Sequence, residues 1–182
     1  MSVDDVALEF LGRTRYYLAF EYPTKIRRCL DVLPADVLWR RSDAGSNSVG
    51  NLLLHLSGNV RQWIVSSVGR APDARYRSGE FAATEGADAH ALFATLRATL
   101  DEADGVIASL TPAHLEERRT IQGRDVSVLD ALYHVVEHFS LHTGQIILLT
   151  KLHAPGGIRF YEDAGGLAIP RWREAAEGGA FE

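Results

Sequence analysis

Residues 127–153 run without a proline, and within them His134, His138 and His142 stand four residues apart. A stretch of this kind reads as one long helix. Ser127-Val128-Leu129-Asp130 has the form of a capping box at its start, with Asp where Glu or Gln is commoner, and Ala154-Pro155-Gly156-Gly157 stops it. Its length is roughly 37 Å at ~1.5 Å per residue. Each step of four residues turns a side chain by about 40° and lifts it about 6 Å. Two of the three imidazoles therefore converge on one point more readily than all three.

Three other segments repeat apolar residues at helical spacing. In residues 3–33 these are Val6, Phe10, Tyr17, Leu18, Tyr22, Ile26, Leu30 and Leu33. Pro23 interrupts that pattern; it lacks an N–H and crowds the carbonyl of Ala19, which predicts a kink or short break. A second helix is expected from a cap at Ser46 or Ser48 to about Gly69, with the apolar interior Leu52-Leu53-Leu54-His55-Leu56. A third runs over residues 88–110, capped by Asp88, with Leu92, Leu96, Leu100, Ile107 and Leu110 on its face. Residues 34–47 read as a loop with a helical turn at 35–39, and residues 69–86 as a long surface loop. A small hairpin is expected over residues 118–126, around Gly123-Arg124. The glycine pairs Gly165-Gly166 and Gly178-Gly179 predict an extended tail after Pro155. The expectation is an all-α four-helix bundle over residues 1–154, with residues 155–182 as a tail packing on the bundle or on a partner.

Charge and composition narrow the function. At 182 residues the chain is about one domain, and 46% apolar residues exclude a wholly disordered one. A net charge of −5 lacks the basic stripe of a nucleic-acid binder. No apolar run approaches the ~20 residues of a membrane span. The acidic start Met1-Ser2-Val3-Asp4-Asp5 is unlike a signal peptide, so a cytoplasmic location is expected. Cys29, the sole cysteine, excludes an internal disulfide and any multi-cysteine metal site. It lies close to the Ile26/Leu33 stripe and reads as a buried, inert thiol.

The histidines carry the chemistry. An i, i+4 pair on one helix is the geometry zinc helices use, and the site needs a further ligand from a neighbouring helix. His55 is the natural candidate, because a polar side chain inside Leu52–Leu56 needs something to face. A lone histidine there more often donates to a backbone carbonyl; together with an i, i+4 pair opposite, the metal reading is favoured. His134-Val135-Val136-Glu137-His138 also matches H-x-x-E-H, the inverted zinc-peptidase pattern, in which the Glu is the base. That reading needs a third ligand from Glu162, Asp163, Glu174, Glu177 or Glu182 in the tail, and the chain is short for a peptide cleft. Glu137 is then more simply a surface carboxylate or one that touches a ligand. His90, His114 and His153 read as surface imidazoles. Asn59 and Gln62, one and two turns after His55, are expected to line the pocket, with His134 and Gln145 their counterparts; for the amides a solvated helix face is an equal alternative.

Two segments together resemble the DinB-like family (DinB/YfiT-like metalloenzymes): Ser48-Val49-Gly50-Asn51-Leu52-Leu53-Leu54-His55-Leu56, and the run from His134 that ends His138-Phe139-Ser140-Leu141-His142-Thr143-Gly144-Gln145-Ile146. The resemblance covers about residues 3–153. It implies a four-helix bundle holding a divalent metal, nickel or zinc, on His55, His138 and His142. His134 would stand near the site without binding the ion. Gly144 and Gln145 follow the family pattern, whereas Thr143 stands where an Arg is frequent, which removes any anion contact made by that Arg. It also implies a homodimer. Family activities suggest transfer of a low-molecular-weight thiol to an electrophile. Metal-dependent hydrolysis is the second reading, and a non-catalytic metal-binding stress-response bundle the third. The physical basis is that such an ion lowers the pKa of bound water towards neutrality or deprotonates a bound thiol.

Overall fold

The computed structural model of the chain describes residues 2–173. Its first bundle helix is continuous: α1 (Val3–Arg15), a π-helical stretch (Tyr16–Glu21) and α2 (Tyr22–Val32). The Ser2 hydroxyl accepts from Asp5 N while the Asp5 carboxylate accepts from Ser2 N, closing the first turn. The interruption expected at Pro23 takes the form of the π-helical stretch just before it. The wider turn relieves the proline ring, and the Ala19 carbonyl accepts a hydrogen bond from Arg97 at 2.7 Å.

The second bundle helix is α3 (Val49–Val60) followed by a further π-helical stretch (Arg61–Val68). Ser48 is its cap, accepting from Asn51 N. A short helix, α4 (Arg77–Ala82), precedes the third bundle helix, α5 (Ala89–Ala108), which Asp88 caps. The fourth is α6 (Val128–His153), with the Ser127/Asp130 capping box formed. Leu52, Leu53, Leu56, Ile64, Leu96, Leu100, Leu132 and Phe139 fill the space between helices.

Cross-helix pairs fix the direction of each helix. Arg15 meets Asp104 and Arg97 meets Ala19, so the first helix runs antiparallel to α5. Tyr22 stacks on Phe139 and Cys29 lies beside Thr150, so the first helix is parallel to α6. Gly50 and Gly86 both face Trp39, and Arg61 pairs with Glu102, so α3 and α5 are parallel. The order is up-down-down-up. Parallel neighbours cannot be joined by a tight turn, so the chain after Gly69 must travel back along the bundle.

That return is the segment expected as a surface loop, and there the expectation is corrected. It contains α4, and it is pinned rather than loose. Asn51 Nδ2 donates to Glu80 O at 2.9 Å and to Ala83 O at 2.7 Å, and Arg41 Nη2 donates to Ala83 O at 2.8 Å. Glu80 is buried as a result.

Two hairpins complete the fold. β1 (Arg118–Ile121) pairs with β2 (Arg124–Ser127) across Gln122 and Gly123, both at positive φ, the backbone a two-residue hairpin turn requires. After α6 the chain does not stay extended. β3 (Tyr161–Ala164) pairs with β4 (Leu167–Pro170), and Gly165-Gly166 form the turn. Trp172 then inserts against Phe20 and is almost fully buried. Gly178-Gly179, also assigned to the tail, lie outside the described residues. Among the described residues no helix is long and apolar enough to cross a membrane.

Candidate metal centre

The up-down-down-up order makes α3 and α6 antiparallel, and their apolar faces bring His55, His138 and His142 together. His55 Nε2 lies 3.0 Å from His138 Nε2, and His142 Nε2 lies 3.2 Å from the same atom. The three ligand atoms all fall within 4.8 Å of one another.

The hydrogen bonds on the far side of the rings show what this cluster fits. His55 Nδ1 lies 2.8 Å from Glu80 Oε2, and His142 Nδ1 lies 2.7 Å from Gln145 Oε1. Both partner atoms are acceptors, and with each Nδ1 donating to its partner both Nε2 atoms present lone pairs to His138. One imidazole proton on His138 Nε2 can satisfy only one of them. His138 Nδ1 is itself buried with no partner among the described residues. Three converging imidazole nitrogens with too few protons are a donor set for a cation.

Burial favours the neutral form of His138 and His142. It is the largest cause that drives the His138 pKa down to about 3, with His142 and His55 adding to it. The His142 imidazole is lowered too, again by burial first, with Gln145 opposing. Neutral imidazoles are the metal-binding form.

Glu80 and Arg75 are the residues that the sequence reading missed. Arg75 Nε and Nη2 reach Glu80 Oε1 and Oε2 at 2.7 and 2.8 Å, a two-pronged ion pair. Burial alone would raise the Glu80 carboxyl, but hydrogen bonds from Arg75 and His55 outweigh it and hold the group below the usual carboxylate range. The one local sign is Gly58, a small residue on the turn after His55. A Cβ there would lie 2.0 Å from Glu80 Oε1.

The other predicted neighbours separate. Gln145 touches His142. His134 stands a turn away, its ring on Trp63 and its centroid 5.4 Å from that of His138. Asn59 is buried, and its Oδ1 has no partner among the described residues. Gln62 reaches the cluster only through Arg75, accepting from Arg75 Nη1 at 3.0 Å and donating to Asp73 at 2.8 Å. Glu137 is exposed, Thr143 is buried, and His90 is exposed. His114 caps its own turn by accepting from Thr111 N.

Fold and site together define an all-α bundle with a return crossover and a three-histidine cluster that can hold a metal ion. The chain belongs to the DinB superfamily, whose family model matches residues 22–146 and so takes in all three histidines. A DinB-like protein from Bacillus cereus ATCC 10987 has a similar fold, with a TM-score of 0.57 at 20% identity, covering 74% of this chain and 90% of that chain. No curated protein matches the chain.

Proposed function

We propose that this chain is a divalent-metal-dependent enzyme that binds nickel or zinc on His55, His138 and His142 and transfers a low-molecular-weight thiol to an electrophile. The observation that carries the metal reading is the convergence of three Nε2 atoms whose lone pairs outnumber the protons between them. Held by neutral imidazoles alone, a divalent ion keeps its full charge and supplies a site that favours the thiolate over the thiol.

The chain's own residues count against hydrolysis of the kind that uses a carboxylate base beside the ion, which leaves thiol transfer as the leading reading. Water chemistry at such a centre commonly draws on a free carboxylate base. Glu80 is the only carboxylate that the described residues place in hydrogen-bonding contact with the cluster, and it is fully engaged by Arg75 and His55. A thiol has no need of that base. The protein's own thiol is no substitute: Cys29 is buried, and burial pushes its pKa up to about 11.

The test is consumption of a model electrophile by metal-loaded and chelated protein, with and without glutathione or another small thiol. Turnover that requires both ion and thiol is expected. Ion-dependent ester cleavage without thiol would transfer the reading to hydrolysis. Absence of any bound metal in tag-free protein would overturn it at the root.

A further inference from the structure

We propose that Glu80, clamped by Arg75, is a positioning residue of this centre: it fixes His55 with its proton on Nδ1, so that the Nε2 lone pair faces His138 and His142. The inference rests on the reading of His55 as a ligand.

Two groups compete for His55 Nδ1. Glu80 Oε2 lies at 2.8 Å and Arg75 Nη2 at 3.1 Å. Had Nδ1 no proton, its lone pair would face a carboxylate oxygen at 2.8 Å, which is repulsive. Arg75 Nη2 already donates to that same oxygen at 2.8 Å. The arrangement that satisfies all three groups has Nδ1–H donating to Glu80 and the guanidinium donating to the carboxylate. A ligating histidine commonly gives its second N–H to such a partner, which fixes its tautomer and ring orientation. Arg75 adds a second effect. It offsets the carboxylate's charge, so the pair orients the imidazole without neutralising the ion it faces.

The fold goes to some length to place this pair. The Arg75 and Glu80 side chains are 4% and 10% exposed, on a connection that elsewhere runs along the surface. Asn51 holds the backbone carbonyl of Glu80 itself. Arg75 Nη1 is braced by Gln62, which also accepts from Gln122 in the β1–β2 turn. On α3 the carboxylate and guanidinium lie over Gly58, where a Cβ would stand 2.0 Å from Glu80 Oε1 and 2.9 Å from Arg75 Nε. A glycine inside a helix costs stability, and here it opens the space the ion pair occupies.

Three variants in the full chain test the proposal: Glu80→Ala, Gly58→Ala and the two combined. Zinc affinity should fall about 10–100-fold in Glu80→Ala, the usual effect of losing such a partner. Gly58→Ala, which removes no polar group, should show a fall of the same order by displacing Glu80. The combined variant should fall no further than Glu80→Ala alone, because the carboxylate that the methyl would displace is already gone and the Arg75 side chain, released from it, is free to shift aside. Unchanged zinc affinity in Gly58→Ala, or losses that multiply in the combined variant, would overturn the proposal. A second readout needs no metal. Ring ¹⁵N–¹H correlation spectra of the metal-free protein at mildly alkaline pH should show His55 with its proton on Nδ1, and a mixture of tautomers in Glu80→Ala. A proton on Nε2 in the parent protein would overturn the role of Glu80 directly. If the parent protein binds no zinc, the ligand reading fails while the tautomer measurement still decides the role of Glu80.

Discussion

Trp63 lies on His134, with ring centroids 4.0 Å apart and planes inclined by 36°. This contact divides the histidine ladder of α6. The indole covers a face of the first rung, while the second and third rungs meet His55 across the bundle. The antiparallel register explains the division. His55 meets His138, and the Trp63 ring, from further along the second helix, meets His134, one turn earlier on α6.

Metal content should follow that division. Changing His55, His138 or His142 to Ala is expected to cut bound metal to a small fraction of one equivalent. His134→Phe, which keeps a ring on Trp63, and His153→Ala should retain it. Elemental analysis of tag-free protein after dialysis gives the answer, and full metal retention in His138→Ala would sink the ligand assignment.

Acid should destabilise the metal-free fold in a defined window. The folded His138 pKa is about 3, against 6.5 for the free side chain. Between those values the unfolded chain binds the proton and the folded chain does not, so stability is full above about pH 6.5 and falls as pH drops. Between pH 6.5 and about 4.5 carboxylates contribute little, which leaves the histidines to dominate. The Tm of metal-free protein should therefore decline across that interval, and His138→Phe should flatten the decline. An equal slope in both proteins would assign the effect elsewhere.

The helices were legible because their signals are local. Ser48, Asp88 and Ser127 cap where their side chains and the apolar repeat say they should. An i, i+4 pair and one inward histidine were legible for the same reason, since they are properties of single helices; the choice of His138 and His142 over His134 rested on the family resemblance. What escaped is what the crossover carries. Nothing local in Arg75 or Glu80 tells that they will lie over Gly58, because that depends on α3 and α5 being parallel, and helix direction leaves no mark on periodicity. Pro23 shows an intermediate case. The break was legible, but its form, a π-helical stretch with Arg97 on the Ala19 carbonyl, depends on a residue far along the chain.

Cys29 should be chemically silent in the native protein. It has no exposed surface, and burial holds its thiol in the protonated form, with a pKa of about 11. A disulfide reagent such as Ellman's should find no reactive thiol until denaturant is added, and then one. Cys29→Ser should leave metal content and any thiol-dependent turnover in place. Rapid labelling of the folded protein would contradict the core position assigned to this residue.

The tail beyond α6 should contribute to stability through one side chain. Trp172 is 2% exposed although it follows a hairpin whose strands are themselves largely exposed. Its ring packs on Phe20 with centroids 5.9 Å apart, and Lys25 Nζ lies 4.8 Å from its centroid. The neighbouring backbone is tied down by Arg28, which donates to Arg171 O, and by Arg171 N, which donates to Phe160 O at 2.8 Å. Removing a buried aromatic ring costs about 3–5 kcal/mol, so Trp172→Ala should lower the urea midpoint markedly. Trp172→Phe, which keeps an aromatic face for Lys25, should lower it less. These ring contacts are with the first bundle helix, which carries no candidate ligand. Metal stoichiometry in Trp172→Ala should accordingly stay that of the parent protein under native conditions. A midpoint unchanged within error would mean that the strap after Pro170 is dispensable to the bundle, whereas loss of metal at full stability would couple the tail to the histidine cluster by a route these contacts do not provide.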